Sequence, residues 1–512
     1  MGEITPRIPE ELSGKHIFVT GASGFMGKVL VEKLLRSCPE IGCIYLLMRP
    51  KKGVSVRERL RAMLDVPLFE PLLSKHPEVV SKLRVVSGDC SELRLGLSAE
   101  DEAVLVRNVS YVFHMAATVR FDDPICQAIM INTRSTREVV ELSKKMTKLK
   151  VLQYVSTTYT FTNEPILKEQ HYDAHLDWKT IIKLAETEDE YTLFSLTHKI
   201  LGFQPNTYTF TKALAENIIN DARHDIPVII FRPAVVLSSM QEPMPGWLDN
   251  FNGPFGIWAA SLKGILRYCF VDKNVALSFT PVDWAIKGMI ACAVVRATNP
   301  QVVRSDPQQL AVMNMCLDVV KETFSDQLRF AMENLELASY PVRYPGKPVL
   351  THCYPYFWLG TIFTQLPYGL LLDVLLRLAG QKPRLISMYR KIFLASNALS
   401  YFMLNEFPIS TGKMHQVDKA MHPDDRLQFE LIIDPNFVRA ELDFSPYKIA
   451  VIKGAFKYVL GESPTVEESK ARIKKLYVLE IILNLLVAFA VCIILGQYLK
   501  ARLPHVAVPF EV

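Results

Sequence analysis

Cysteine is sparse and unpatterned in this chain. Its 512 residues carry nine, at positions 38, 43, 90, 126, 269, 292, 316, 353 and 492, an odd number with no Cys-x-x-Cys. That scatter argues against both a thiolate metal site and a disulfide framework, and it fits reduced thiols facing the cytosol. Charge is nearly balanced, +5 from 58 basic and 53 acidic side chains. No basic run is interleaved with aromatics, so no nucleic-acid partner is expected. Residues 1–14 are polar, hold two prolines and contain no apolar stretch, and a cleaved secretory signal is not expected.

What is abundant is apolar surface. Hydrophobic residues make up 49% of the chain and mean hydropathy is +0.15, rich enough to make a membrane segment worth seeking. The length exceeds what one core serves, so two folded parts and an appendage are expected.

The organising stretch is residues 16–27, His-Ile-Phe-Val-Thr-Gly-Ala-Ser-Gly-Phe-Met-Gly. The run Ile17, Phe18, Val19 reads as a buried strand, and Val29, Leu30, Leu34 and Leu35 read as the face of a following helix. Between them stand Gly21, Gly24 and Gly27. The first permits a tight turn, the second lets a pyrophosphate approach bare backbone, and the third lets helix lie close to strand. The helix N-terminus then offers free N–H groups to the phosphates.

A second strand at 43–48 ends at Arg49. About 20 residues past a dinucleotide glycine turn, an acid selects the 2′-hydroxyl of NAD and a base the 2′-phosphate of NADP. Here the candidates are Arg49, Lys51 and Lys52, so NADPH is expected, with Arg49 foremost; a basic solvent-facing loop is the alternative. A third strand, 83–87, runs into Gly88-Asp89, and a fourth, 111–115, into Ala116-Ala117. Asp89 suits the adenine amino group, and Ala116 and Ala117 let backbone pass close to the ribose; simple turn chemistry also accounts for them. A long helix over 124–150 and a fifth strand over 151–155 continue the alternation, which implies a parallel sheet with right-handed crossovers.

The fifth strand ends in Ser156-Thr157-Thr158-Tyr159, and some fifty residues later comes Tyr208-Thr209-Phe210-Thr211-Lys212 on a helix. Tyr208 and Lys212 are four apart and share a face. An ammonium beside the phenol favours phenolate and lowers its pKa from about 10, making a better proton donor to a forming alkoxide. Thr157, with Ser156 and Thr158 as rivals, is placed to hold the carbonyl oxygen from the other side. A sixth strand, 227–231, leads into Arg232-Pro233, where Pro233 is a candidate nicotinamide contact. Residues 240–274 are rich in Pro, Gly and aromatics, as loops that shape substrate pockets are, and a helix ending near 295 closes the domain.

Together, Thr20-Gly21-x-x-Gly24-x-x-Gly27, the Ser156-Thr157 strand end and Tyr208-x-x-x-Lys212 resemble the extended short-chain dehydrogenase/reductase family. Residues 28–35, 113–121, 211–216 and above all 243–254, Pro-Met-Pro-Gly-Trp-Leu-Asp-Asn-Phe-Asn-Gly-Pro, are similar to the alcohol-forming fatty acyl-CoA reductases. The resemblance implies an extended Rossmann-like doubly wound α/β sheet over 15–300 after a lead of 1–14. It also implies a mainly helical C-terminal domain over 345–465, catalytic Tyr208 and Lys212, NADPH held by Gly21, Gly24 and Gly27, and a long-chain acyl-CoA substrate. Two departures stand out: Thr158 where alanine is expected, and Ala234 after Arg232-Pro233 where serine is usual.

The C-terminal half changes character. Residues 354–359 and 367–378 are apolar and aromatic, followed by Lys382, Arg384, Arg390 and Lys391. They read either as the core of a helical domain or as an interfacial patch with a basic flank. Residues 476–495 are apolar save Glu480 and Asn484, long enough to cross hydrocarbon. A transmembrane tail anchor over 476–499 is therefore expected. Lys470, Arg472, Lys474 and Lys475 before it place the catalytic bulk in the cytosol, on endoplasmic reticulum, peroxisome or lipid droplet. The end, Phe510-Glu511-Val512, is not a Ser-Lys-Leu peroxisomal address.

The expected activity is reduction of acyl-CoA to fatty alcohol in two hydride steps through a bound aldehyde. The alternatives are a hydroxysteroid-dehydrogenase-like reductase and a non-catalytic membrane-bound NADP-binding protein.

Overall fold

The computed structural model describes residues 5–502 apart from 52, 305, 307, 318–321, 338–339 and 432–443. Lys52 and the 510–512 terminus therefore lie outside the described residues.

Eleven strands are described: β1 His16–Thr20, β2 Cys43–Met48, β3 Leu83–Ser87, β4 Val109–His114, β5 Val151–Val155, β6 Val228–Pro233, β7 Val235–Leu237, β8 Tyr268–Phe270, β9 Phe279–Pro281, β10 Ala311–Met315 and β11 Val349–Thr351. Seven form one sheet in the order β10-β6-β5-β4-β1-β2-β3, every pairing parallel. The chain lays β1, β2 and β3 outward in one direction, then returns to place β4 on the other side of β1. The crevice at that reversal, past the strand carboxyl ends, is where such sheets bind ligands.

Side chains alternate between two apolar layers. Ile17 and Val19 pack with the helices Phe25–Ser37 and Val282–Thr298, while Phe18 packs with Ser135–Lys145 and Thr207–Ala222. Coverage on both faces explains why β4 and β6 are buried at every residue and read as continuous apolar runs.

Two features differ from the sequence reading. The sheet takes its seventh strand, β10, from beyond the domain end expected at 300; Ala-Val-Met-Asn-Met has little β-branched character and carries a polar residue, so it lacks a strand signature. The helix expected over 124–150 is three consecutive segments ending at Lys145, and its middle one, Ile129–Arg134, is a π-turn.

The loop after β7 is pinned from several sides. The buried Asp283 carboxylate accepts N–H bonds from Met240, Gln241 and Glu242 at 2.9, 2.8 and 3.1 Å. Lys28 pairs with Asp249 at 2.5 Å, and Phe25 stacks on Trp247. Gly246 meets the helix Ser445–Gly454 so closely that a Cβ on it would lie 2.1 Å from the Ala450 carbonyl oxygen, and one on Gly454 1.8 Å from that of Gly246.

The C-terminal half is mainly helical: Tyr354–Thr364, Leu366–Leu378, Leu385–Leu404, Gly412–Ala420, Ser445–Gly454 and Val466–Arg502. Residues 354–378 divide between the two expectations: Phe357 is buried and stacks on Phe270 and Phe393, while Phe363 and Leu378 are 71% and 79% exposed. Among the described residues Tyr354–Leu378 is also the one segment long and apolar enough to cross a membrane, at mean hydropathy 1.4; it is not at the C-terminus. The expected anchor lies in the Val466–Arg502 helix. That helix is tied to the body by Glu480, which pairs with Arg343 at 2.6 Å and Arg267 at 3.0 Å. Arg343 also stacks over Tyr368 of the apolar helix pair, 4.0 Å from ring centroid to guanidinium carbon.

Candidate active site

Turn geometry at the end of β1 explains the glycines. Gly21 has φ +79°, and a Cβ there would sit 2.7 Å from the Ala116 nitrogen. A Cβ on Gly27 would lie 2.3 Å from the Gly21 oxygen. Gly24 caps the Phe25–Ser37 helix in extended conformation with no side chain on the orphan N–H groups, which leaves them for an anion. The cradle is held from behind. Thr20 Oγ1 accepts N–H bonds from Met115 and Ala116, both at 3.2 Å, and hydrogen-bonds His114 Nδ1 at 2.7 Å; His114 Nε2 meets Thr136 Oγ1 at 3.0 Å. Burial and the nearby Lys212 charge push His114 down to about 3, so this imidazole is a neutral strut. A glycine turn whose Cβ positions are filled by backbone, facing unfilled helix N–H groups, fits a dinucleotide pyrophosphate.

Above the turn opens a cavity of about 410 Å³. Gly21, Gly24, Gly27 and Ala117 line it together with Thr157, Tyr208, Lys212 and Pro233. Tyr208 sits in the first turn of its helix, capped by Asn206, whose Oδ1 accepts from Thr209 N at 2.9 Å. Burial pushes the Tyr208 hydroxyl up to about 12, with the nearby Thr157 side chain opposing. Lys212 Nζ donates to the Val155 carbonyl at 2.7 Å and lies 4.7 Å from the Tyr154 ring centroid. Burial pushes the ammonium down to about 7, the Glu216 carboxylate opposing. The lowered tyrosine pKa expected from an adjacent ammonium is not what the site displays: burial dominates, and the phenol stays protonated and able to donate through the neutral range.

Among the three hydroxyls, Thr157 is the one whose side chain bears on the Tyr208 phenol, and it lines the cavity with it. Ser156 also lines the cavity, while Thr158 is buried outside its lining. Ala234 lines the cavity beside Pro233. Arg49, Asp89 and Ala116 are not in this lining. Arg49 and Asp89 face each other at 3.7 Å at the ends of β2 and β3, and Arg59 donates to the Arg49 carbonyl and reaches Ser23 Oγ at 3.5 Å. Ala116 lies under Gly21.

Three contributions were not legible in the sequence. Asn132, in the π-turn, has its amide bound to both Thr118 main-chain groups at 2.9 and 3.1 Å and to Thr211 Oγ1 at 3.0 Å, locking the Tyr208 helix to the β4 loop. Glu216 and Arg232, both at most 2% exposed, form an ion pair one turn past Lys212, with Arg232 Nε at 2.8 Å from Oε1. Leu399, Phe402 and Met403 of the C-terminal half also line the cavity. There Phe121 stacks on Tyr208 at 5.7 Å and meets Phe402 at 5.4 Å. Only the π-turn residue had a possible cue, a buried-looking Asn in an apolar helical run.

The NAD-binding family described as "Male sterility protein" matches residues 19–289, and the Sterile family, also described as "Male sterility protein", matches 364–462. The chain is 34% identical to "Fatty acyl-CoA reductase wat" of Drosophila melanogaster, covering 91% of this chain and 88% of that protein. It is 34% identical to "Fatty acyl-CoA reductase 1" of Rattus norvegicus (89% and 86%) and 32% identical to the Homo sapiens protein of that name (89% and 86%). In fold it is similar to the terminal R domain from the myxalamid PKS-NRPS biosynthetic pathway, with TM-score 0.55 and 18% identity over 87% of this chain and 91% of that one. The reductase (R) domain of a nonribosomal peptide synthetase from Mycobacterium tuberculosis gives TM-score 0.55 and 18% identity over 90% and 94%. With a glycine cradle, a Tyr208–Thr157–Lys212 centre and relatives matched over nearly their whole length, the chain belongs to the fatty acyl-CoA reductases.

Proposed function

We propose that the protein reduces long-chain acyl-CoA to fatty alcohol with NADPH, in two successive reductions through an aldehyde that stays bound. The observation that carries this reading is that Tyr208, Thr157 and Lys212 line one cavity together with the glycines of the phosphate cradle and apolar side chains of the C-terminal half. Bound along Gly21, Gly24 and Gly27, a reduced nicotinamide cofactor supplies hydride.

The chain's own groups do the rest. Thr157 and Tyr208 hold the thioester oxygen and then the aldehyde oxygen, and Tyr208 donates the proton as each becomes an alkoxide. Lys212, fixed on the Val155 carbonyl, offers its remaining N–H bonds to the ribose and to the Tyr208 hydroxyl, from which the lost proton is replaced. Collapse of the first adduct releases CoA thiol, so each alcohol consumes two NADPH and two protons. The preference for NADPH rests on Arg49, Lys51 and Arg59 at the β2 edge, a basic cluster suited to a 2′-phosphate, with Asp89 toward the adenine.

Membrane attachment through the C-terminal helix, catalytic body in the cytosol, is supported by its run of exposed apolar residues and its basic approach. The exposed face of the 354–378 helix pair, latched to the same helix through Arg343 and Glu480, adds a second apolar surface on that side.

The test is purified protein with palmitoyl-CoA, following NADPH absorbance and alcohol product together. Two NADPH per hexadecanol are expected; no NADPH consumption with any acyl-CoA would refute the reading.

A further inference from the structure

Beside the catalytic cavity lies a smaller one of about 60 Å³. The two share Leu237, Phe255, Trp258, Phe279 and Gln327 in their linings, so they adjoin along these residues. The smaller chamber is also lined by Phe330 and Ala331 of the Phe324–Glu333 helix and by Ile452, Ala455 and Phe456 from the C-terminal half. Two charged residues enter its wall, Glu322 and Lys448. They pair with each other at 2.7 Å, with the ammonium 4.3 Å from the Phe330 ring centroid, so the chamber presents no uncompensated charge.

Resting on the reductase reading above, we propose that this chamber receives the methyl end of the substrate's acyl chain and sets chain-length preference. Three observations converge on that occupant. Its lining is almost wholly apolar, it borders the cavity that holds Tyr208, and its volume admits only a few methylene-sized groups. It therefore takes the end of a chain whose remainder lies in the larger cavity. Its lining mixes small residues, Ala331 and Ala455, with large ones, Phe330 and Phe456, so substitution at these positions changes its volume directly. Each methylene moved from water into such surroundings contributes about fourfold in binding, so a chamber a few methylenes deep discriminates sharply between chains of adjacent length.

The test is kcat/KM of the full chain over lauroyl-, myristoyl-, palmitoyl- and stearoyl-CoA, for the unsubstituted protein and for Ala455→Phe, Ala331→Leu, Phe330→Ala and Met403→Phe. Filling the chamber with Ala455→Phe or Ala331→Leu is expected to lower kcat/KM for the longest accepted chain about 50-fold, equivalent to some three methylenes. The shortest chain should stay within about twofold. Enlarging it with Phe330→Ala is expected to move the optimum to longer chains. Unchanged profiles, or equal loss at every length in variants with native circular dichroism, would overturn the assignment. So would a shift produced by Met403→Phe alone, which would put the tail along the Leu399–Met403 wall. Failure of the unsubstituted protein to consume NADPH with every acyl-CoA is a separate outcome that sinks the reductase reading itself.

Discussion

Lys212 is bound to Val155: its ammonium donates to the carbonyl that ends β5, two residues before Thr157. One hydrogen bond thus sets the depth of the lysine against the strand that presents the Thr157 hydroxyl.

Burial holds that ammonium down at about 7, so the cavity's one lysine titrates within the working range. In the free enzyme, kcat/KM is expected to fall as pH rises through about 7, while the phenol, near 12, adds no limb below it. Lys212→Arg keeps its charge and should abolish that fall. The same shift acts on stability. Because the folded pKa lies below the ordinary 10.5, the unfolded chain binds more protons between the two values, and stability rises with pH across that window. Lys212→Met should flatten urea-unfolding stability over the same range.

Tyr208→Phe removes the proton donor and keeps the ring against Phe121. Alcohol formation should drop by about 10²–10⁴-fold or more with NADPH affinity, read by fluorescence titration, within a few-fold of the parent. Undiminished turnover would refute the role assigned to Tyr208. Thr157→Val should lose activity in the same direction.

Gly27→Ala drives a Cβ against the Gly21 carbonyl, backbone on backbone with no rotamer to yield. Overpacking of this kind costs about 1–3 kcal/mol, and because the displaced atoms form the phosphate cradle, NADPH binding should weaken more than the melting temperature suggests. Calorimetric titration beside thermal unfolding separates the two.

Arg232→Met leaves the Glu216 carboxylate buried without its partner, a loss of about 3–5 kcal/mol. The double variant Arg232→Met/Glu216→Gln should recover a good part of it in urea denaturation.

If the exposed face of the 354–378 helix pair meets lipid as proposed above, Leu371→Glu/Leu375→Glu/Leu378→Glu places charge on that face. Binding of the full chain to anionic vesicles should weaken at high salt without loss of kcat on detergent-solubilised substrate. Unaltered flotation would show that the C-terminal helix alone carries attachment.

What could be read in advance was whatever local chemistry forces into sequence. A turn that must admit positive φ and close backbone leaves glycines at 21, 24 and 27, and two side chains that must meet on a helix are four apart, as Tyr208 and Lys212 are. Six of the seven strands announced themselves as apolar runs. The rest depends on distance along the chain. Phe402 and Phe121 touch across about 280 residues, and no local pattern marks either. Arg49 and Asp89 each suited a cofactor alone, yet they close on each other because β2 and β3 are sheet neighbours. The apolar 354–378 pair could not be oriented from composition, since a buried core and an outward face use the same residues.

The contact between Gly246 and Gly454 couples two halves that look separable in the primary structure. Any side chain at either position would wedge the 240–254 loop from the helix behind it and so reshape both chambers at once. Hybrids grafting the C-terminal half of one reductase onto the nucleotide-binding half of another should work only when the loop and its facing helix travel together. In this chain, substrate selection is inherited as a matched pair of segments some two hundred residues apart.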